Sequence, residues 1–118
     1  MKKIISASLI GQTHQQMYLN NQDAYKVIND NNFIVGVVCD GCGSCKDSEI
    51  GAKLTAEFVA NYCYEKFRFK KFNGIELTNA ITKYYEEIAK ISLTPNKKTF
   101  INDVFFATII GVIVSDKQ

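Results

Sequence analysis

Residues 35–45 read Val-Gly-Val-Val-Cys-Asp-Gly-Cys-Gly-Ser-Cys, an apolar β-favouring run that passes directly into an acid-glycine turn. Asp40 therefore stands where a strand ends and the backbone is free to bend. Gly41 and Gly43 permit φ > 0 or the close approach of a ligand to the main chain. A carboxylate on a strand end, followed by an accessible carbonyl, suits a hard cation such as Mg²⁺ or Mn²⁺. The same residues also spell a plain hairpin turn, for which Asp-Gly is a strong local signal. The rest of the chain has to decide between these readings.

The flanking pattern is strand, strand, strand, helix, helix, strand. Residues 3–10 form a short apolar run ending at Gly11, and residues 12–22 form a polar loop rich in Gln and Asn. Asp23 to Ile28 has strand composition, and Asn29-Asp30-Asn31-Asn32 is a turn signal, so this run and Phe33 to Cys39 read as an antiparallel hairpin. Phe33 to Cys39 is apolar nearly throughout, which suits a strand covered on both faces. A helix follows, capped by Asp47 or Ser48, with Ile50, Leu54, Phe58, Val59, Tyr62 and Cys63 as its apolar stripe.

The basic, aromatic stretch from Glu65 to Phe72 could touch nucleic acid. It reads better as a helix end, where cations complement the dipole and aromatics continue the buried face. A second helix spans residues 74–91, with Leu77, Ile81, Tyr84, Ile88 and Ile91 on one face. A polar loop holding Pro95, the only proline, ends it. Val104 to Val114 is apolar at both parities and is expected to be a central strand buried on both sides. The fold class is α+β, with layered packing and mainly antiparallel pairing. No linker, repeat or low-complexity stretch interrupts it.

With 118 residues, one domain is expected. A net charge of +2 argues for neither nucleic acid nor a membrane surface as partner. Met1-Lys2-Lys3-Ile4-Ile5 imitates the start of a signal peptide, but Ser6 and Ser8 break the apolar run and no small-residue cleavage site follows. A cytoplasmic location is expected. Cys39, Cys42 and Cys45 have C-x₂-C-x₂-C spacing, and with Cys63 they could hold zinc or part of an iron–sulfur cluster. Against this, Cys39 lies in an apolar strand and Cys63 in an apolar helix stripe, where cysteine serves as a small hydrophobe.

Three separated stretches resemble one family. Gly11-Gln12-Thr13-His14, with Asn21-Gln22-Asp23-Ala24 placing Asp23 nine residues after His14, resembles the opening motif of the bacterial branch of the protein phosphatase 2C family. Its members are metal-dependent serine/threonine phosphatases. Cys39-Asp40-Gly41-Cys42-Gly43-Ser44 resembles the family's Asp-Gly-x-Gly metal motif, between a strand and a helix as expected. Asp103, five residues before Thr108, looks like the family's Asp-x₄-Thr strand. The order of these stretches and the elements around them make the combination specific.

The resemblance implies an α-β-β-α sandwich of mainly antiparallel sheets flanked by helices, with a binuclear Mn²⁺ or Mg²⁺ centre. It implies that Asp40 bridges the metals, that the Gly41 carbonyl binds one of them, and that Asp23, beside Gln22, supports the first through water. Asp103 matches the acid for an additional, weaker metal. His14 is a candidate phosphate contact, because the family's phosphate-gripping arginine would fall near Tyr18 and the only arginine is Arg68. Cys42 stands where many members have a proton-donating histidine, and Gln22 replaces one acid of an acidic pair.

In the family the domain also continues further and supplies two more aspartates. Residues 1–118 are thus expected to form the N-terminal half of such a domain. The remaining half, a complementary chain or a second copy would then cover the strand 104–114, and the chain by itself would be inactive. The implied activity is hydrolysis of phosphoserine and phosphothreonine in proteins. The alternatives are a phosphatase-like binding or regulatory module without catalysis, and a cysteine-ligated metal or redox module.

Overall fold

A computed structural model of the protein describes residues 23–42, 47–69 and 71–115. The expected strand 3–10 and loop 12–22 lie outside the described residues, as do His14, Tyr18, Gln22, Gly43 and Cys45. The described elements are β1 (Asp23–Asn29), β2 (Phe33–Gly41), α1 (Ser48–Arg68), α2 (Gly74–Ile91), α3 (Lys97–Phe105) and β3 (Ala107–Ser115). The fold is α+β, with one antiparallel sheet of order β1-β2-β3, and among the described residues no element covers its second face.

The hairpin follows its turn chemistry. Asp30 accepts the Asn32 amide at 2.8 Å, and the Tyr64 hydroxyl donates to its other carboxylate oxygen at 2.8 Å. Those two bonds and Arg68 hold the Asp30 carboxyl below its usual range. Phe33, Val35, Val37 and Cys39 alternate along β2 into the core, facing α1. Only one face of β2 is buried, which corrects the expectation of cover on both: Val38 is exposed and Asp40 shares its face.

Helix α1 lies directly on all three strands, and α2 and α3 pack on α1. Its buried face differs from the expected stripe. Gly51, Ala52, Thr55, Ala56, Val59, Ala60 and Cys63 are buried, while Ile50 is exposed. Small residues bring the helix axis close to the sheet, and the large side chains flank the contact. Phe58 stacks on Tyr84 of α2 with ring centroids 4.2 Å apart, and Tyr85 stacks on Phe105 of α3 at 4.1 Å. In α2, Leu77 and Ile81 meet the core as expected, whereas Ile91 is exposed.

The largest departure is at residues 97–114. A third helix occupies Lys97–Phe105, started by Asn96, whose side chain accepts the Thr99 amide at 3.0 Å. Val104 and Phe105 are its buried end, so the strand begins only at Ala107. Among the described residues β3 is also an outer strand, and the central one is β2. Ile109 and Ile113 pack on the core while Ile110, Val112 and Val114 are exposed. Near its end, α1 places Phe67 edge-on against Phe33, but Phe69 and Phe72 are exposed, so the aromatic run continues the buried face only in part.

Candidate metal centre

Strand register brings two acids side by side. Asp23 is the direct partner of Asp40 across β1 and β2, and Asp40 is the direct partner of Thr108 across β2 and β3. Directly opposed residues point to the same face with Cβ atoms about 4.5–5.5 Å apart. Asp23, Asp40 and Thr108 thus form a polar row on the face away from α1. The next rows on that face are Tyr25–Val38–Ile110, then Val27–Gly36–Val112. The acids are the polar end of an apolar face.

Two acids on neighbouring strands of one face are a pair that a divalent cation can bridge or that can hold its waters. The donors there are all oxygens, the chemistry Mg²⁺ and Mn²⁺ prefer, and Mg²⁺ typically combines one or two carboxylates with several waters. Gly41, the next residue, is buried. The Cys42 N–H donates to the Phe106 carbonyl at 2.9 Å. In a planar trans peptide the Gly41 carbonyl points the opposite way, toward the β1 side where Asp23 begins. Asp23 and Asp40 thus have the donor chemistry for such a cation, as a pair of carboxylates.

Asp103 is not brought into this row. It sits in the last turn of α3, half-exposed, rather than in a turn ahead of a strand. A carboxylate near a helix C-terminus opposes the dipole, so the position gains no local stability from its charge. Among the described residues, no group of three or more His, Cys, Asp or Glu side chains could hold a metal ion. His14 lies outside the described residues.

Cys39 and Cys63 belong to the hydrophobic core. Cys39 points to the helix side of β2, opposite to Asp40, and burial pushes its thiol up to about 11. Burial raises the Cys63 thiol too. Metal ligation requires the thiolate, so both environments oppose it. Sequence reasoning missed the role of Ser48. Its hydroxyl donates to the Cys42 carbonyl at 2.7 Å, although its place next to a helix start reads as an ordinary cap. Asp47 is the N-cap, with φ 59° and no side-chain cap bond.

A family model of protein phosphatase 2C matches residues 10–118. The chain belongs to the protein phosphatase 2C family. No curated protein and no solved structure matches it. All three stretches that resemble the family fall within the matched span, including the Asp40-Gly41 strand end and the Asp103 to Thr108 segment. Phosphatases of the 2C family are in general metal-dependent and act on phosphoproteins. Among the described residues, no helix is long and apolar enough to cross a membrane.

Proposed function

We propose that this phosphatase 2C chain contributes the Asp40 half of a centre that hydrolyses phosphoserine and phosphothreonine in proteins with Mn²⁺ or Mg²⁺, in the cytoplasm. The observation that carries this reading is the placement of Asp23 beside Asp40 at the polar end of an open apolar face. When bound there, such a cation shields phosphate charge and lowers the pKa of a water. Asp40 supplies the central carboxylate, Gly41 a carbonyl, and Asp23 an acceptor that orients water. Asp103 serves a weaker additional site from the end of α3, and His14 contacts substrate phosphate. Cys42 occupies the family's proton-donor position with a poorer acid.

Residues 1–118 form the N-terminal half of the domain in this reading. Tyr25, Val38, Ile110, Val112 and Val114 present an apolar surface that suits a second sheet. The remaining half of the domain, a complementary chain or a second copy supplies that cover together with the missing ligands. The lack of a third acid beside Asp23 and Asp40 among the described residues favours, as second reading, a phosphatase-like module that binds without catalysis. The test uses the product of the whole reading frame and a phosphothreonine peptide. Phosphate release that requires Mn²⁺ and disappears in Asp40→Asn supports catalysis. Peptide binding without release supports the module.

A further inference from the structure

The first turn of α1 touches the strand end that carries Asp40 and the helix end that carries Asp103. Ser48 is fully buried, and its hydroxyl leaves its own helix to donate to the Cys42 carbonyl at 2.7 Å. Asp47 meanwhile caps α1 with no side-chain bond and with a left-handed backbone that an Asp adopts at some cost. The helix start thus forgoes a local cap while its first hydroxyl ties down the strand end that holds Asp40 and Gly41.

One turn further, Gly51 meets the end of α3. A Cβ on Gly51 would fall on the Val104 carbonyl oxygen, 2.5 Å from its carbonyl carbon and 3.2 Å from the Phe105 Cα. These are backbone atoms, which cannot swing aside as a side-chain tip can. The chain leaves α3 through Phe106, whose carbonyl takes the Cys42 N–H at 2.9 Å. The constraints close on themselves. Ser48 holds Cys42, Cys42 holds Phe106, and Gly51 sets how near α3 can come to α1.

We propose that Ser48 and Gly51 are positioning residues for the metal centre: they fix the Gly41–Cys42 peptide and the last turn of α3, and so set how Asp40 is presented to its cation and Asp103 to its separate, weaker one. The proposal rests on the phosphatase reading above. Neither residue contacts cation or phosphate. Both act through the main chain at Cys42 and Val104.

Amide hydrogen exchange of Ser48→Ala tests the tie without metal. Protection at the Cys42 amide should fall roughly tenfold or more, with Val35 and Val37 in the centre of β2 unchanged. Unchanged protection at Cys42, or an equal loss throughout the sheet, overturns the proposal, the latter by showing a merely structural role. Mn²⁺ alone is then titrated by electron paramagnetic resonance into wild type, Ser48→Ala and Asp40→Asn. Supporting groups of this kind are worth ~10–100-fold in metal affinity, so Ser48→Ala should weaken binding by that order. Wild-type affinity in Ser48→Ala, with binding lost in Asp40→Asn, overturns the positioning role and leaves the metal reading intact. Equal binding by wild type and Asp40→Asn, or no binding by wild type, overturns both. Gly51→Ala, if it folds, should reproduce the loss of affinity with weakened protection at Val104 and Phe105.

Discussion

Ile109 and Ile110 are neighbours on β3 whose side chains leave opposite faces of the sheet. Ile109, opposite Cys39, packs against the core under α1, while Ile110 is 71% exposed. Fully burying an isoleucine stabilises by about 1.5–3 kcal/mol. Ile110→Lys gives up less than a third of that, about 0.5–1 kcal/mol, and the lysine stem retains part of it. Ile109→Lys loses more contact and forces an ammonium toward an apolar interior, for a cost of about 2–3 kcal/mol. At about 4 °C per kcal/mol for a chain of this size, the melting temperature should fall by about 2–4 °C in Ile110→Lys and by about 8–12 °C in Ile109→Lys. Urea unfolding of the two variants, with equal slopes, measures the difference. Equal losses would mean that both faces of β3 are covered, and the open-face account would fail.

The joint between α1 and α2 includes a 2.8 Å hydrogen bond between the buried Thr55 hydroxyl and the Tyr85 hydroxyl. Tyr85→Phe should cost about 1 kcal/mol by stranding the Thr55 hydroxyl, and adding Thr55→Val should recover most of it, measured as a double-mutant cycle in urea. Alkaline pH should destabilise the fold. The Cys39 thiol is raised from 9.0 to about 11 by burial, so the unfolded chain loses this proton first. Stability is full below pH 9 and falls as pH rises to about 11, by about 3 kcal/mol from this thiol at about 1.4 kcal/mol per pH unit. Burial raises Cys63, Tyr84 and Tyr85 in the same direction, so Cys39→Ala should flatten the slope of urea midpoint against pH without abolishing it. Asp103→Asn should stabilise α3 by about 0.3–1 kcal/mol through the helix dipole, which thermal unfolding would register.

The hairpin, the two long helices and the strand end at Asp40 were legible because turn residues and helical periodicity act locally. Burial was less so. Strand β3 is apolar at both parities because its open face is itself apolar, and sequence pattern cannot separate a covered face from one awaiting cover. The α1 stripe was sought among large side chains, but close contact with the sheet selects Ala52, Ala56 and Ala60 at intervals of four. Helix α3 is short, and its Val104-Phe105 end runs into β3 without a breaker, so periodicity merged the two. The pairing of Asp23 with Asp40 needed the hairpin register, which the Asn29–Asn32 turn signal does not fix: the turn centres on Asn31-Asn32, and a turn over residues 29–32 would have set Asp23 opposite Val38. The Ser48 tie had no sequence signal, because a serine at a helix start is ordinarily a cap.

The proposed divalent cation would lie at the polar end of the open face, beside Asp23 and Asp40. Paramagnetic broadening of the amide spectrum by Mn²⁺ locates such a cation directly. Signals of Ala24, Gly41, Cys42 and Thr108 should vanish first, with those of Ile34 and Val114 at the far end of the sheet preserved, and Asp40→Asn should abolish the pattern. Broadening centred elsewhere, or unchanged by Asp40→Asn, would contradict the account.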